Sequence, residues 1–222
     1  MKKILYVGPS WAVRSFTNYI ETDPNGGTNL AKELGLDVVN LSKFGQSNMQ
    51  CLDRVRSYKE PFDGVLWIYC EPILDVLGED RKNLVESDSF WTQRADINRS
   101  ILASINQLGC PIGIIGGHSD INDCDFPNIT VIHPSWQKFL ADQTGVVLEH
   151  GWGAEVAQRY FAHEFKNSCP SKDIVFKISD TLRSWAQLEQ AGVFTWAHPN
   201  PKGNELFAKE IANSVQSFIN NL

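Results

Sequence analysis

Short apolar runs alternate with longer amphipathic stretches along the chain. Five segments centred on apolar residues predict strands, at 4–7, 37–40, 64–69, 111–115 and 129–132. The clearest of these are continuous apolar runs rather than alternating patterns, which is typical of strands buried on both faces of a sheet. We therefore expect a parallel sheet enclosed within the protein.

The segments between these strands have helical periodicity or helix-capping residues. They predict helical structure at 10–19, 29–34, 47–58, 73–77, 91–108, 135–143, 153–165, 171–190 and 203–220. Strands that alternate with helices indicate an α/β fold in which helices cover both faces of a parallel sheet. The chain contains no internal repeat or linker-like stretch, so we expect one domain over residues 1–222.

Composition and charge narrow the possible partners. The formal net charge is -6 and no basic cluster occurs, which argues against a nucleic-acid partner. No stretch approaches the roughly 20 apolar residues of a membrane span, and the first apolar run ends at Pro9, too early for a signal peptide. These features predict a cytoplasmic protein with no membrane partner.

The cysteines and acidic residues suggest no bound metal. The five cysteines are widely spaced and form no CxxC pair, so neither a zinc site nor a disulfide framework is predicted. A metal site built on His118 and its neighbouring carboxylates is a minor alternative, because such spacing is common in loops. We expect no cofactor.

Two residues at opposite ends of the chain suggest nucleophilic chemistry. Ser10 follows the first predicted strand through a Gly-Pro corner, and His198 precedes the last predicted helix. In open parallel sheets, ligand sites form at the carboxyl ends of the strands, where both residues are expected. A serine within reach of a histidine base is the basic requirement for acyl transfer. Ser10 is equally suited to capping a helix.

The order of these short motifs resembles the SGNH (GDSL-type) hydrolases. The segment 8–12, GPSWA, matches the position of the family's nucleophile block, and 38–47, VVNLSKFGQS, resembles its second block with Gly45 as an oxyanion donor. The segment 198–203, HPNPKG, resembles the block that holds the catalytic histidine. The resemblance implies a three-layer, flavodoxin-like doubly wound sheet of about five strands. It also implies that Ser10 and His198 are catalytic.

Three positions depart from the family pattern. Pro9 stands where the family has aspartate before the serine, and Thr195 stands where it has the aspartate of the triad. Glu71 stands at the end of the third strand, where the family has an asparagine that donates to the oxyanion. An ionised carboxylate only accepts hydrogen bonds, so Glu71 must be protonated, turned away, or used for other chemistry.

Other polar and aromatic residues are expected near the same edge of the sheet. His118 follows the fourth strand and is a candidate substrate-contacting residue. Trp11 and Trp196 flank the proposed catalytic residues, where they would form either a sugar-stacking wall or part of the core.

The sequence thus favours a serine esterase acting on a small acyl or sugar-acyl ester. In this hypothesis the backbone N–H groups of Ser10 and Gly45 hold the oxyanion. The alternative is an inactive member of the same fold that serves as a binding or structural module. A flavodoxin-like nucleotide binder is disfavoured, since no glycine-rich phosphate loop follows the first strand.

Overall fold

The structure, a computed structural model, describes most of the sheet and the helices that cover it. The described residues are 2–13, 30–43, 45–70, 72–75, 89–117, 121, 124–147, 185–195 and 198–222. The helix predicted at 153–165, residues 14–19 of the first predicted helix and most of the prediction at 171–190 lie outside these ranges.

Five parallel strands form the central sheet. They are β1 (Ile4–Val7), β2 (Val38–Asn40), β3 (Gly64–Tyr69), β4 (Ile112–Gly116) and β5 (Ile129–His133). Their spatial order is β2-β1-β3-β4-β5, with every described pair in this sheet parallel. This is the flavodoxin-like order, in which the chain reverses direction across the sheet between β1 and β3. The predicted fold class is confirmed.

Helices and a small hairpin complete the described structure. The helices are α1 (Ser10–Val13), α2 (Leu30–Glu33), α3 (Asn48–Ser57), α4 (Ser89–Asn106), α5 (Trp136–Thr144) and α6 (Pro201–Asn220). Residues 185–190 are also helical. Pro72–Asp75 forms one 3₁₀ turn that overlaps the helix predicted at 73–77. The strands β6 (Phe194–Thr195) and β7 (His198–Pro199) pair in an antiparallel hairpin that the sequence did not predict.

Side chains on alternate residues of β1 belong to two separate cores. Ile4 and Tyr6 pack on one face with residues of α2, α5 and α6. Leu5 and Val7 pack on the other face with residues of α3 and α4. All four β1 residues are buried, so the sheet is enclosed on both sides and the fold has three layers.

The exit from β1 is too crowded for any residue but glycine. A Cβ on Gly8 would lie 2.7 Å from the Cβ atoms of both Ala12 and Ile68, and 2.9 Å from the Ile68 carbonyl oxygen. Because the backbone passes so close to β3, the chain turns directly from β1 into α1. Gly8 therefore fixes where Ser10 begins its helix.

Gly8→Ala should destabilise the protein by about 1–3 kcal/mol, because overpacking at a rigid backbone contact forces neighbours to shift. Urea unfolding, followed by circular dichroism, measures this change. In a double-mutant cycle, Ala12→Gly should recover part of the loss, since it removes one of the clashing methyl groups. An unfolding midpoint equal to that of wild type would contradict this crowding around Gly8.

Candidate active site

Trp11 lies where several elements converge at the carboxyl edge of the sheet. Its ring is 5.6 Å from the rings of Trp136 and Phe194, both edge-on, and 6.5 Å from the imidazole of His198. A Cβ on Gly117, just after β4, would lie 3.6 Å from the same indole. Trp11 is only 3% exposed, so it packs the core and offers no face to a sugar ring. The stacking-wall alternative is therefore wrong for Trp11, and Trp196 lies outside the described residues.

The structure brings the helix that begins at Ser10 against the strand that holds His198. Helix α1 contacts β7, and Trp11, the residue after Ser10, contacts His198 directly. His198 is 4% exposed. The side chain of Ser10 itself lies outside the described part of the structure, so its distance to His198 stays a prediction.

His198 is held in place by the hairpin and by the first turn of α6. The side chain of Asn200 accepts a hydrogen bond from the Gly203 N–H at 3.0 Å, which caps the helix. Its amide also donates to the carbonyls of Gly192 at 3.0 Å and Phe194 at 3.4 Å. Asn200 thus joins the hairpin to the helix, which explains the Pro-Asn that follows the histidine in the sequence.

Thr195 stands directly across the hairpin from His198. Directly opposed residues of an antiparallel pair point to the same face, with Cβ atoms about 4.5–5.5 Å apart. Thr195 is partly exposed, whereas His198 is buried. The hairpin therefore places Thr195, three residues before His198, on the same face as the imidazole that it is predicted to orient.

Gly45 lies in the loop between β2 and α3 and adopts a left-handed backbone, with φ of 68°. Among the described residues, no atom beyond its chain neighbours comes within 4 Å of where a Cβ would stand. The glycine is needed for this backbone conformation. Its role as an oxyanion donor stays a prediction.

Asn48, the first residue of α3, binds the end of β3. Its amide oxygen accepts from the Cys70 N–H at 3.1 Å and the Trp67 indole N–H at 3.4 Å. Its amide nitrogen donates to the Cys70 carbonyl at 3.1 Å and to an Asp75 carboxylate oxygen at 2.9 Å. Asn48 is fully buried, and these four bonds satisfy its whole amide.

The Asp75 carboxylate lies against the first turn of α3. It accepts from the backbone N–H groups of Asn48 at 3.2 Å and Met49 at 2.6 Å, in addition to the Asn48 side chain. Burial raises the pKa of Asp75, while hydrogen bonds from Ser47, Met49 and Asn48 act in the opposite direction. A carboxylate thus occupies the anion-binding end of this helix.

Two of the predicted site residues, Glu71 and His118, lie outside the described residues. Cys70 and Pro72, on either side of Glu71, are both buried. The neighbours of His118 are held at the same edge: the Gly117 carbonyl accepts from the Gln137 N–H at 3.1 Å, and Ile121 donates to the Pro134 carbonyl at 3.0 Å. Their roles stay predictions.

The described residues contain no group of three or more His, Cys, Asp or Glu side chains that could hold a metal ion. Within the same ranges, Cys51, Cys70, Cys110 and Cys124 form no disulfide. In that part of the chain, no helix combines the length and apolar character needed to cross a membrane.

Sequence reasoning missed Asn48 and Asp75. Ser47, the first residue of the helix predicted at 47–58, caps α3: its side chain accepts from the Gln50 N–H, and the Gln50 side chain accepts from the Ser47 N–H in a capping box. The available signal was Asn48 itself, since asparagine is a poor helix residue that prefers caps. Its partner Asp75 lies 27 residues further on, and no local pattern reveals that contact.

A comparison with solved structures finds a distant structural likeness. No family model matches the chain, and no curated protein matches it. A crystal structure of the protein YxiM from Bacillus subtilis matches with 13% identity and a TM-score of 0.46. The match covers 98% of this chain but only 57% of that one. So distant a likeness supports no statement about activity.

Asp75→Asn should change how the free energy of unfolding depends on pH. Burial raises the folded-state pKa of Asp75 above the ordinary value of 3.8, so the folded state binds this proton more tightly than the unfolded state does. The stabilisation from this proton is present below pH 3.8 and is lost as pH rises through the raised pKa. The stability of wild type relative to Asp75→Asn should therefore fall as the pH rises above 3.8.

Urea unfolding at several pH values measures this difference. Asp53→Asn, an exposed substitution in α3, the helix that Asp75 contacts, serves as the control for the general pH trend. A wild-type advantage over Asp75→Asn that grows as pH rises would contradict the assigned direction.

Proposed function

We propose that this protein is a serine esterase of the SGNH type, acting on a small acyl or sugar-acyl ester. The observation that carries the proposal is the contact of α1, which begins at Ser10, with the strand that holds His198. It is supported by the packing of Trp11 against the imidazole. A nucleophile and its base from opposite ends of the sequence would then share one edge of the sheet.

In the proposed reaction, the Ser10 hydroxyl attacks the ester carbonyl carbon as His198 takes its proton. The carbonyl electron pair moves to oxygen, and the N–H groups of Ser10 and Gly45 hold the resulting oxyanion. Collapse of this intermediate breaks the carbon–oxygen bond to the alcohol, which receives the proton from His198. Water then attacks the acyl-serine by the same steps and releases the acid.

Thr195 would orient His198 in place of the family's aspartate. A threonine hydroxyl can accept the imidazole Nδ1–H and fix the tautomer, but it carries no charge to stabilise the imidazolium. The proposal therefore implies slow turnover and a preference for activated esters. Amides, whose leaving groups demand stronger acid catalysis, would be poor substrates.

A second candidate function is a binding or structural module that has kept this fold without catalysis. The deep burial of His198 favours it, because a general base must reach the substrate's reacting atoms. The departures at Pro9, Glu71 and Thr195 point in the same direction. The two candidates differ in whether hydrolysis depends on Ser10.

Thr195→Asp should raise the kcat/KM for 4-nitrophenyl acetate by about tenfold or more. In a triad protease, replacing the triad aspartate with asparagine costs about 10⁴ in rate, so a tenfold gain from adding the carboxylate is a modest expectation. Release of 4-nitrophenolate, followed by absorbance, measures the reaction. Ser10→Ala should abolish it in both backgrounds.

Thr195→Asn is the matched control, because it has the size of aspartate without the charge. Circular dichroism melting confirms that each variant folds. If folded wild type and Thr195→Asp both fail to hydrolyse a broad set of acyl esters, the non-catalytic function replaces the esterase proposal.

A further inference from the structure

We infer that Asn48 and Asp75 are positioning residues that hold the two sides of the oxyanion site, the Gly45 loop and the exit of β3, in one fixed arrangement. This inference rests on the proposed esterase function. It concerns residues that the resemblance to SGNH hydrolases does not mark.

On the side that faces β1, the exit of β3 is held by a side chain, whereas on the other side β4 pairs with β3 up to Tyr69. The ladder between β1 and β3 ends at the pair Val7–Trp67, since β1 turns away at Gly8. The N–H and C=O groups of Cys70 would then lack ladder partners from β1, and the Asn48 amide binds both of them. Asn48 thus fixes the backbone of Cys70, the last described residue at the exit of β3.

The same residue belongs to the segment that carries Gly45. Asn48 lies three positions after Gly45, and the Cys51 and Cys70 thiols both approach Gln46, at 3.9 Å from its side-chain oxygen and 3.8 Å from its carbonyl oxygen. The loop 45–48 and the end of β3 are therefore joined through several contacts. Movement of one side would shift the other.

Asp75 keeps Asn48 in the required orientation. Its carboxylate accepts from both the side chain and the backbone N–H of Asn48, but no described hydrogen bond joins it to Cys70. Among the described hydrogen bonds, those of the Asn48 amide link Asp75 to Cys70. Weakening the bond between Asp75 and Asn48 should therefore be detected at the Cys70 amide.

Amide hydrogen exchange, measured by NMR, tests the physical link. In Asp75→Asn, the Cys70 amide should exchange about fivefold faster or more, the factor expected for one weakened hydrogen bond. Asn128→Ala is the control, because it removes a bond of similar kind, from Asn128 to the Asn106 carbonyl, at the amino end of β5. The control should leave Cys70 exchange unchanged.

Kinetics with 4-nitrophenyl acetate test the positioning role. Each rate is divided by the fraction of active enzyme. That fraction is measured as the share of protein that a fluorophosphonate labels in a Ser10-dependent way. In Asp75→Asn and Asn48→Asp, we expect kcat to fall by about tenfold, within the ~10² that a small misplacement can cost, while KM changes little. A fall in kcat with little change in KM is expected because the oxyanion forms only in the transition state.

Different results would overturn the positioning role alone and the proposed esterase function. Wild type with neither hydrolysis nor Ser10-dependent labelling ends the esterase proposal and the positioning role together. Active wild type with unchanged Cys70 exchange, or with unchanged kcat per active site, in Asp75→Asn overturns the inference alone. An equal loss of kcat in Asn128→Ala also overturns it. If Asp75→Asn does not fold, Asp75→Glu, which keeps the charge and shifts it by one methylene, takes its place.

Discussion

The candidate site depends on how the sheet ends between β1 and β3. A parallel ladder satisfies backbone polar groups only while its strands run side by side, and unpaired groups that are buried are costly. When β1 turns away at Gly8, the protein must supply other partners for the exit of β3. The Asn48 amide supplies them, so both backbone polar groups of Cys70 are paired where β3 ends.

This constraint also separates the present fold from a nucleotide binder with the same strand order. Phosphate sites use free N–H groups at the start of a helix. In α3, the Asp75 carboxylate already accepts from the first two helical amides that it can reach. The start of α3 is therefore already occupied by a carboxyl group of the protein, unlike the free N–H groups of a phosphate site.

The sheet could be predicted from sequence because each strand is a local pattern. Gly64 to Tyr69 is an unbroken buried run, and its predicted bounds agree with the structure. The hairpin around His198 could not be predicted in this way, since its two-residue strands are too short to show periodicity. Asn48 and Asp75 escaped prediction because their contacts join separate elements. Ser10, Glu71 and His118 stay predictions as site residues.

The hairpin has a consequence for the order in which the protein assembles. All five strands of the sheet lie before residue 134, whereas His198 follows almost at the end of the chain. Contacts between such distant segments close large loops and form only after much of the chain is ordered. During synthesis, the sheet would be fully translated before the histidine leaves the ribosome. The partial chain would contain the proposed nucleophile, Ser10, without its proposed base, and the proposed site would form only after the last helix docks.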